Sequence, residues 1–195
     1  MPQKTEPPSF KPNFFHEYSV LLDCPISQVF PILGTTEGHE RTCRLSGLCS
    51  QFDLLEKDLV PVPASTSLAQ VHVRTLPAAA GDEDGTRKLP RQSFTMTESV
   101  PVLFGMHITQ VHLSGTLTWD EKAKVTLYET HSDSGIEVWK LREFVEVEGT
   151  KTRVSERIEG VCSWLLKSIV QKETAKAHAA HMESYHKLFS SAPSS

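Results

Sequence analysis

Cysteine is scarce in this 195-residue chain. Cys24, Cys43, Cys49 and Cys162 are scattered and show no CxxC spacing, which excludes a disulfide framework and a zinc knuckle. They read as free thiols of a reducing compartment, and the expected location is cytoplasmic. No apolar run approaches the roughly 20 residues of a membrane span. Met1-Pro2-Gln3-Lys4-Thr5-Glu6-Pro7-Pro8 lacks the apolar centre of a signal peptide. Basic clusters are missing too. With 20 Lys and Arg against 24 Asp and Glu, and a net charge of -4, the chain has no track for phosphates, so no nucleic acid is expected as a partner. GxGxxG, P-loop, HExxH and GxSxG are all absent, which removes the commonest nucleotide, protease and esterase readings. Internal repeats and a second domain are likewise lacking.

What the chain does have is alternation. Residues 1–13, with four prolines, read as a flexible lead-in, residues 14–189 as one domain and residues 190–195 as a tail. Phe14 to Leu22 alternates as a first strand. Ile26, Val29, Phe30 and Leu33 then recur at helical spacing, with Asp23 as the expected cap, Pro25 tolerated at the start and Gly34 as the stop. A second short helix is predicted from Gly38 to Leu45. Ser50 to Leu55, Leu68 to Leu76 and Gln92 to Val100 alternate as further strands, while the prolines between Asp58 and Pro63 keep that stretch out of a sheet centre. Residues 77–85 form a loop by composition. The apolar turn Pro101-Val102-Leu103-Phe104-Gly105 suggests a flap.

From Met106 to Phe189 the pattern is densest. One parity of four successive strands gives Val111, Leu113, Gly115 and Leu117, then Val125, Leu127, Glu129 and His131, then Trp139, Leu141, Glu143, Val145 and Val147, then Val154, Glu156 and Ile158. Period-two alternation of this kind predicts an antiparallel sheet with one covered face. The opposite parity, with Lys140, Arg142, Arg153 and Arg157, reads as a solvated face. The cover is a helix from about Ser163 to Phe189, with Leu166, Ile169, Val170, Ala177, His181, Tyr185 and Leu188 as its buried stripe. The predicted class is α+β: a curved antiparallel sheet of about seven strands wrapped on a long C-terminal helix, with two short helices after the first strand.

This order, together with Leu22-Asp23-Cys24-Pro25-Ile26-Ser27-Gln28-Val29-Phe30, Thr152-Arg153-Val154-Ser155-Glu156-Arg157-Ile158-Glu159-Gly160 and Ala177-His178-Ala179-Ala180-His181-Met182, resembles the START-like superfamily. That superfamily is also called Bet v 1-like, SRPBCC or polyketide cyclase-like, and its architecture is the helix-grip fold. The resemblance covers residues 14–189 and implies an internal cavity for an apolar or amphipathic small molecule.

Three functional readings follow. The first is binding of a hydrophobic small molecule (lipid, sterol, polyketide or terpenoid) by Leu113, Leu127, Glu129, Trp139, Leu141, Val154, Ile158, Phe104, Met96, His181 and Tyr185. The second is a cyclase, dehydratase or isomerase on the same scaffold. If Val147 lies opposite Thr152, Glu143 faces Glu156 at about 5 Å, and two such carboxylates would split into an acid and a base, with His131 nearby. The third is a protein-interaction module whose groove is only core. His178 and His181 share a helical face but have no third or fourth ligand with them, so neither a metal nor a cofactor is predicted.

Overall fold

The computed structural model describes residues 10–81, 84–102 and 107–190. Its elements run β1 (Phe14–Leu22), α1 (Ile26–Gly34), α2 (His39–Arg44), β2 (Cys49–Pro63), β3 (Thr86–Val102), β4 (His107–Asp120), β5 (Val125–Ser132), β6 (Glu137–Val147), β7 (Lys151–Val161) and α3 (Lys167–Glu183). A 3-10 turn, Tyr185–Leu188, follows α3. The seven strands form one antiparallel sheet in the order β1-β7-β6-β5-β4-β3-β2. This is the helix-grip architecture, with α1, α2 and α3 on the concave side. Among the described residues no helix is long and apolar enough to cross a membrane. All four cysteines are unpaired.

The main core lies between the concave sheet face and the helices. Val29, Phe30 and Leu33 of α1 meet Leu117, Trp119, Phe144 and Val154 of the sheet and Met182 and Tyr185 from the C-terminal region. α1 starts at Pro25, whose carbonyl receives the Gln28 and Val29 amides at 2.9 and 3.2 Å. Asp23 is not its cap. Its exposed carboxylate instead stands 4.0 Å from Lys151. The helical stripe agrees with expectation at Tyr185, which is buried, and differs elsewhere: His178 and Met182 are buried, whereas Leu166 and Ile169 are exposed.

The convex face carries a second core, and this overturns the expectation of one wet face. Leu127, Trp139 and Leu141 point there and pack on Val60, Val62, Leu68, Val73 and Leu89. The cover is the segment after β2. Leu68 to Leu76 is therefore no strand: Leu68–Gln70 forms a 3-10 turn capped by Ser67, and irregular chain follows. Glu129, 4% exposed, accepts the Val73 and Arg74 amides at 2.9 and 2.8 Å. Its other oxygen lies 3.1 Å from His72 Nδ1. Trp139 Nε1 donates to the Val71 carbonyl at 3.0 Å. Arg91, held by Asp58, donates to the carbonyls of Val73 and Leu76 at 2.6 and 2.8 Å. A carboxylate and a guanidinium thus terminate backbone that makes no sheet ladder. Glu129→Ala is expected to cost about 2–3 kcal/mol by leaving buried amides unpaired. Limited proteolysis should then cut within residues 64–81, and an unchanged digestion rate would contradict the assignment.

Both sheet edges are terminated. In β2 the pairing with β3 shifts between Cys49 and Gln51 and again between Leu54 and Lys57, and Pro61 and Pro63 lack amide donors. At β1 the Gln171 side chain of α3 accepts the Phe15 amide at 3.0 Å and donates to the Phe15 carbonyl at 2.6 Å, in place of a neighbouring strand.

Candidate functional site

β6 sets the site, because its register decides which residues face the helices. Val147 pairs with Lys151, not Thr152, so Arg142 lies opposite Glu156 and Glu143 lies opposite Ser155. The expected Glu143–Glu156 pair therefore does not form. Glu143 is exposed on the convex face. His131 is also exposed there, 3.4 Å from Glu137. β5 and β6 present Thr126, Tyr128, Thr130, Val138, Lys140 and Arg142 to the concave side, opposite to the expected parity. Glu129, Leu127, Trp139 and Leu141 consequently belong to the convex core. β3, β4 and β7 keep the expected faces and bring Met96, Leu113 and Ile158 inward. Val154 and Tyr185 are fully buried in the core beneath α3. Phe104 lies outside the described residues, as does most of the expected flap.

Glu156 is the centre of a buried polar knot. Arg142 Nε donates to its Oε1 at 2.5 Å, and the Tyr185 hydroxyl donates to the same atom at 2.5 Å. His178 Nε2 meets Oε2 at 2.8 Å, and Lys140 Nζ lies 3.7 Å from Oε2. Burial alone would raise the Glu156 pKa. Arg142, Lys140 and His178 outweigh it and hold the carboxyl well below its usual range. A carboxylate requires His178 to carry its proton on Nε2. On the other side of the ring, His178 Nδ1 lies 2.8 Å from His16 Nδ1. Arg142 also donates through Nη1 to the Leu33 carbonyl at the end of α1 and through Nη2 to the Tyr185 hydroxyl. The knot ties β6, β7, α1 and the C-terminal turn together, and none of its Glu156 bonds is left for chemistry.

Beside it lies a cavity of about 210 Å³, walled by β3–β7, α2 and α3. Met96, Leu113, Leu117, Val138 and Ile158 form the apolar wall. His39, Thr42 and Cys43 of α2, Glu98 of β3, Tyr128 of β5, Lys140 of β6 and His181 of α3 supply the polar one. Lys140 Nζ sits 4.5 Å over the Tyr128 ring. The environment fixes protonation. Burial, aided by Arg142 and Lys140, brings His39 down to about 3. Burial, aided by Lys140, brings His181 down to about 4, and burial pushes the Cys43 thiol up to about 12. Burial raises Tyr128 well above its ordinary value, and raises Glu98 against the pull of Lys140. The cavity therefore presents two neutral imidazoles, a phenol, an unreactive thiol, a carboxyl readier than usual to hold its proton, and the Lys140 and Arg142 side chains.

His39, Tyr128, Glu98 and Lys140 escaped the sequence reading. Lys140 and Arg142 look like an outer row because the residues that alternate with them, Trp139 and Leu141, are strongly apolar. Glu98 shares a parity with Phe94 and Met96, which was the available signal for it. Among the described residues no cluster of His, Cys, Asp or Glu suits a metal.

No protein-family model matches the sequence, and no curated protein matches it. Solved structures do. A truncated norcoclaurine synthase from Thalictrum flavum superposes with a TM-score of 0.57 at 11% identity, over 91% of this chain and 94% of that one. The Zhui aromatase/cyclase from a Streptomyces species gives 0.53 at 11%, over 89% and 94%. A START superfamily protein from Mycobacterium smegmatis gives 0.50 at 10%, over 90% and 99%. Identities this low speak to the fold alone, and the fold of this chain is that of the START-like, Bet v 1-like superfamily.

Proposed function

We propose that the protein binds a small amphipathic molecule between the concave sheet face, α2 and α3. The observation that carries this reading is the cavity, with one apolar wall and one polar wall of fixed protonation. Its volume bounds the ligand. A cavity of about 150 Å³ holds one benzene, so about 210 Å³ suits a single ring with a few substituent atoms. A sterol or a whole acyl chain exceeds it, which narrows the ligand to the small end of the polyketide and terpenoid range. Native mass spectrometry of protein from its own organism, with organic extraction, tests this directly. A one-to-one passenger is expected. An empty protein that also fails to bind a fluorescent apolar probe would leave the groove as mere core, the mark of an interaction module.

A second reading, proton-transfer catalysis in the same cavity, is favoured by Glu98. Its raised pKa and the Lys140 ammonium place an acid and a charge in one enclosure. This replaces the Glu143, Glu156 and His131 machinery, which the register disperses. Glu98→Gln separates the two readings. A carrier keeps its passenger within a few-fold in affinity, whereas an enzyme loses turnover while binding survives.

A further inference from the structure

His39 opens α2 and is only 5% exposed, yet neither ring nitrogen has a hydrogen-bond partner among the described residues. No other cavity-lining side chain leaves a buried polar atom unpaired in this way. The ring cannot swing off in search of one. Phe52, Phe94 and Tyr128 meet it edge-on, with centroids 5.0, 4.7 and 5.9 Å away. Two nearby hydroxyls are committed elsewhere: Thr42 donates to the Gly38 carbonyl at 2.9 Å and Thr126 to the Gly34 carbonyl at 2.7 Å. Lys140 faces Glu156 and the Tyr128 ring.

A buried polar group without a partner is destabilising, so a partner from outside the chain gains the full value of the bond. Its chemistry is constrained. A neutral imidazole offers one N–H and one bare nitrogen. A hydroxyl can satisfy either, whichever tautomer is present, whereas a carbonyl or ether can satisfy only the N–H. A cationic ligand would face Lys140 at close range. The ring size that the cavity admits is set by its volume, and Met96, Leu113 and Leu117 supply the apolar contact.

We infer that His39 is the recognition residue of the cavity and that it takes the hydroxyl of a single-ring molecule, a phenol or a cyclic alcohol. This rests on the cavity being a binding site. The test uses p-cresol and toluene, which differ by one hydroxyl, titrated into the full chain at pH 7 by calorimetry. The ring nitrogens of His39 are followed in parallel by nitrogen-15 NMR. The parent protein should bind p-cresol about tenfold or more tighter than toluene, as one buried hydrogen bond requires. The His39 ring resonances should move on binding. In His39→Phe the two affinities should come within about threefold, because the hydroxyl loses its partner while the apolar contact stays. If that variant fails to fold, the parent's NMR titration decides alone. Equal affinities in the parent, or a His39 signal unmoved with p-cresol bound, would overturn the assignment and leave the cavity standing. Failure of both compounds to bind would overturn the cavity reading as well.

Discussion

Glu156→Leu is expected to destabilise the protein by about 3–5 kcal/mol, the range for removing one partner of a buried ion pair. The loss comes from what remains. Arg142 is 6% exposed and keeps its charge, and its surviving contacts are the Leu33 carbonyl and the Tyr185 hydroxyl. The His178 Nε2–H also loses its acceptor. The double variant Arg142→Met, Glu156→Leu should recover most of the stability, since an apolar pair of similar volume removes the desolvation cost together with the attraction. Urea unfolding of the three proteins checks both statements. A single variant within 1 kcal/mol of the parent would show that the pair is hydrated rather than buried.

Acidification is expected to weaken the fold well before carboxylates titrate. His39 is brought down to about 3 and His181 to about 4, while the unfolded chain holds both near 6.5. Between those values the unfolded state binds more protons, so stability falls as the pH falls. From pH 7 to pH 5 each histidine accounts for about 2 kcal/mol by linkage. His16, also lowered by burial and by His178, acts with the same sign. Glu98 opposes them, because a raised carboxyl pKa favours the folded state as pH drops. Glu156 is silent in this window: its lowered pKa gives stability that is present above the ordinary carboxylate range and is lost only below it. Urea midpoints at pH 7, 6 and 5 should decline steadily, and His39→Phe should remove about half of the decline. A flat profile in the parent would mean that both imidazoles are solvated.

Much of the fold was legible because strand alternation and short turns leave few arrangements for β4–β7. The buried stripe of α1 followed from the spacing of Val29, Phe30 and Leu33, and the edge position of β2 from Pro61 and Pro63. The site was less legible, for two physical reasons. First, β5 and β6 are apolar on the parity that faces outward, since Leu127, Trp139 and Leu141 pack under residues 64–81. Alternation names the two faces of a strand but cannot say which is concave when both are covered. Second, the β6–β7 loop has three residues, closed by Glu148 and Gly149 at φ of 54° and 71°. A glutamate in the left-handed region is uncommon, and nothing in its type announces it. The resulting one-residue slip turned every side chain of β6 to the other face. It moved Arg142 onto Glu156 and Lys140 into the cavity, and those two positions are what give the cavity its charge.

The terminated edges of the sheet have a consequence for self-assembly. A sheet whose last strands display free amides and carbonyls is a template on which another copy can add strands and grow toward a fibril. Here one border is broken by two register shifts and two prolines, and at the other a glutamine amide occupies the hydrogen bonds of Phe15 where an incoming strand would begin. A strand arriving at either side finds its ladder interrupted within a few residues, so cross-β growth from the folded molecule has no uninterrupted starting edge.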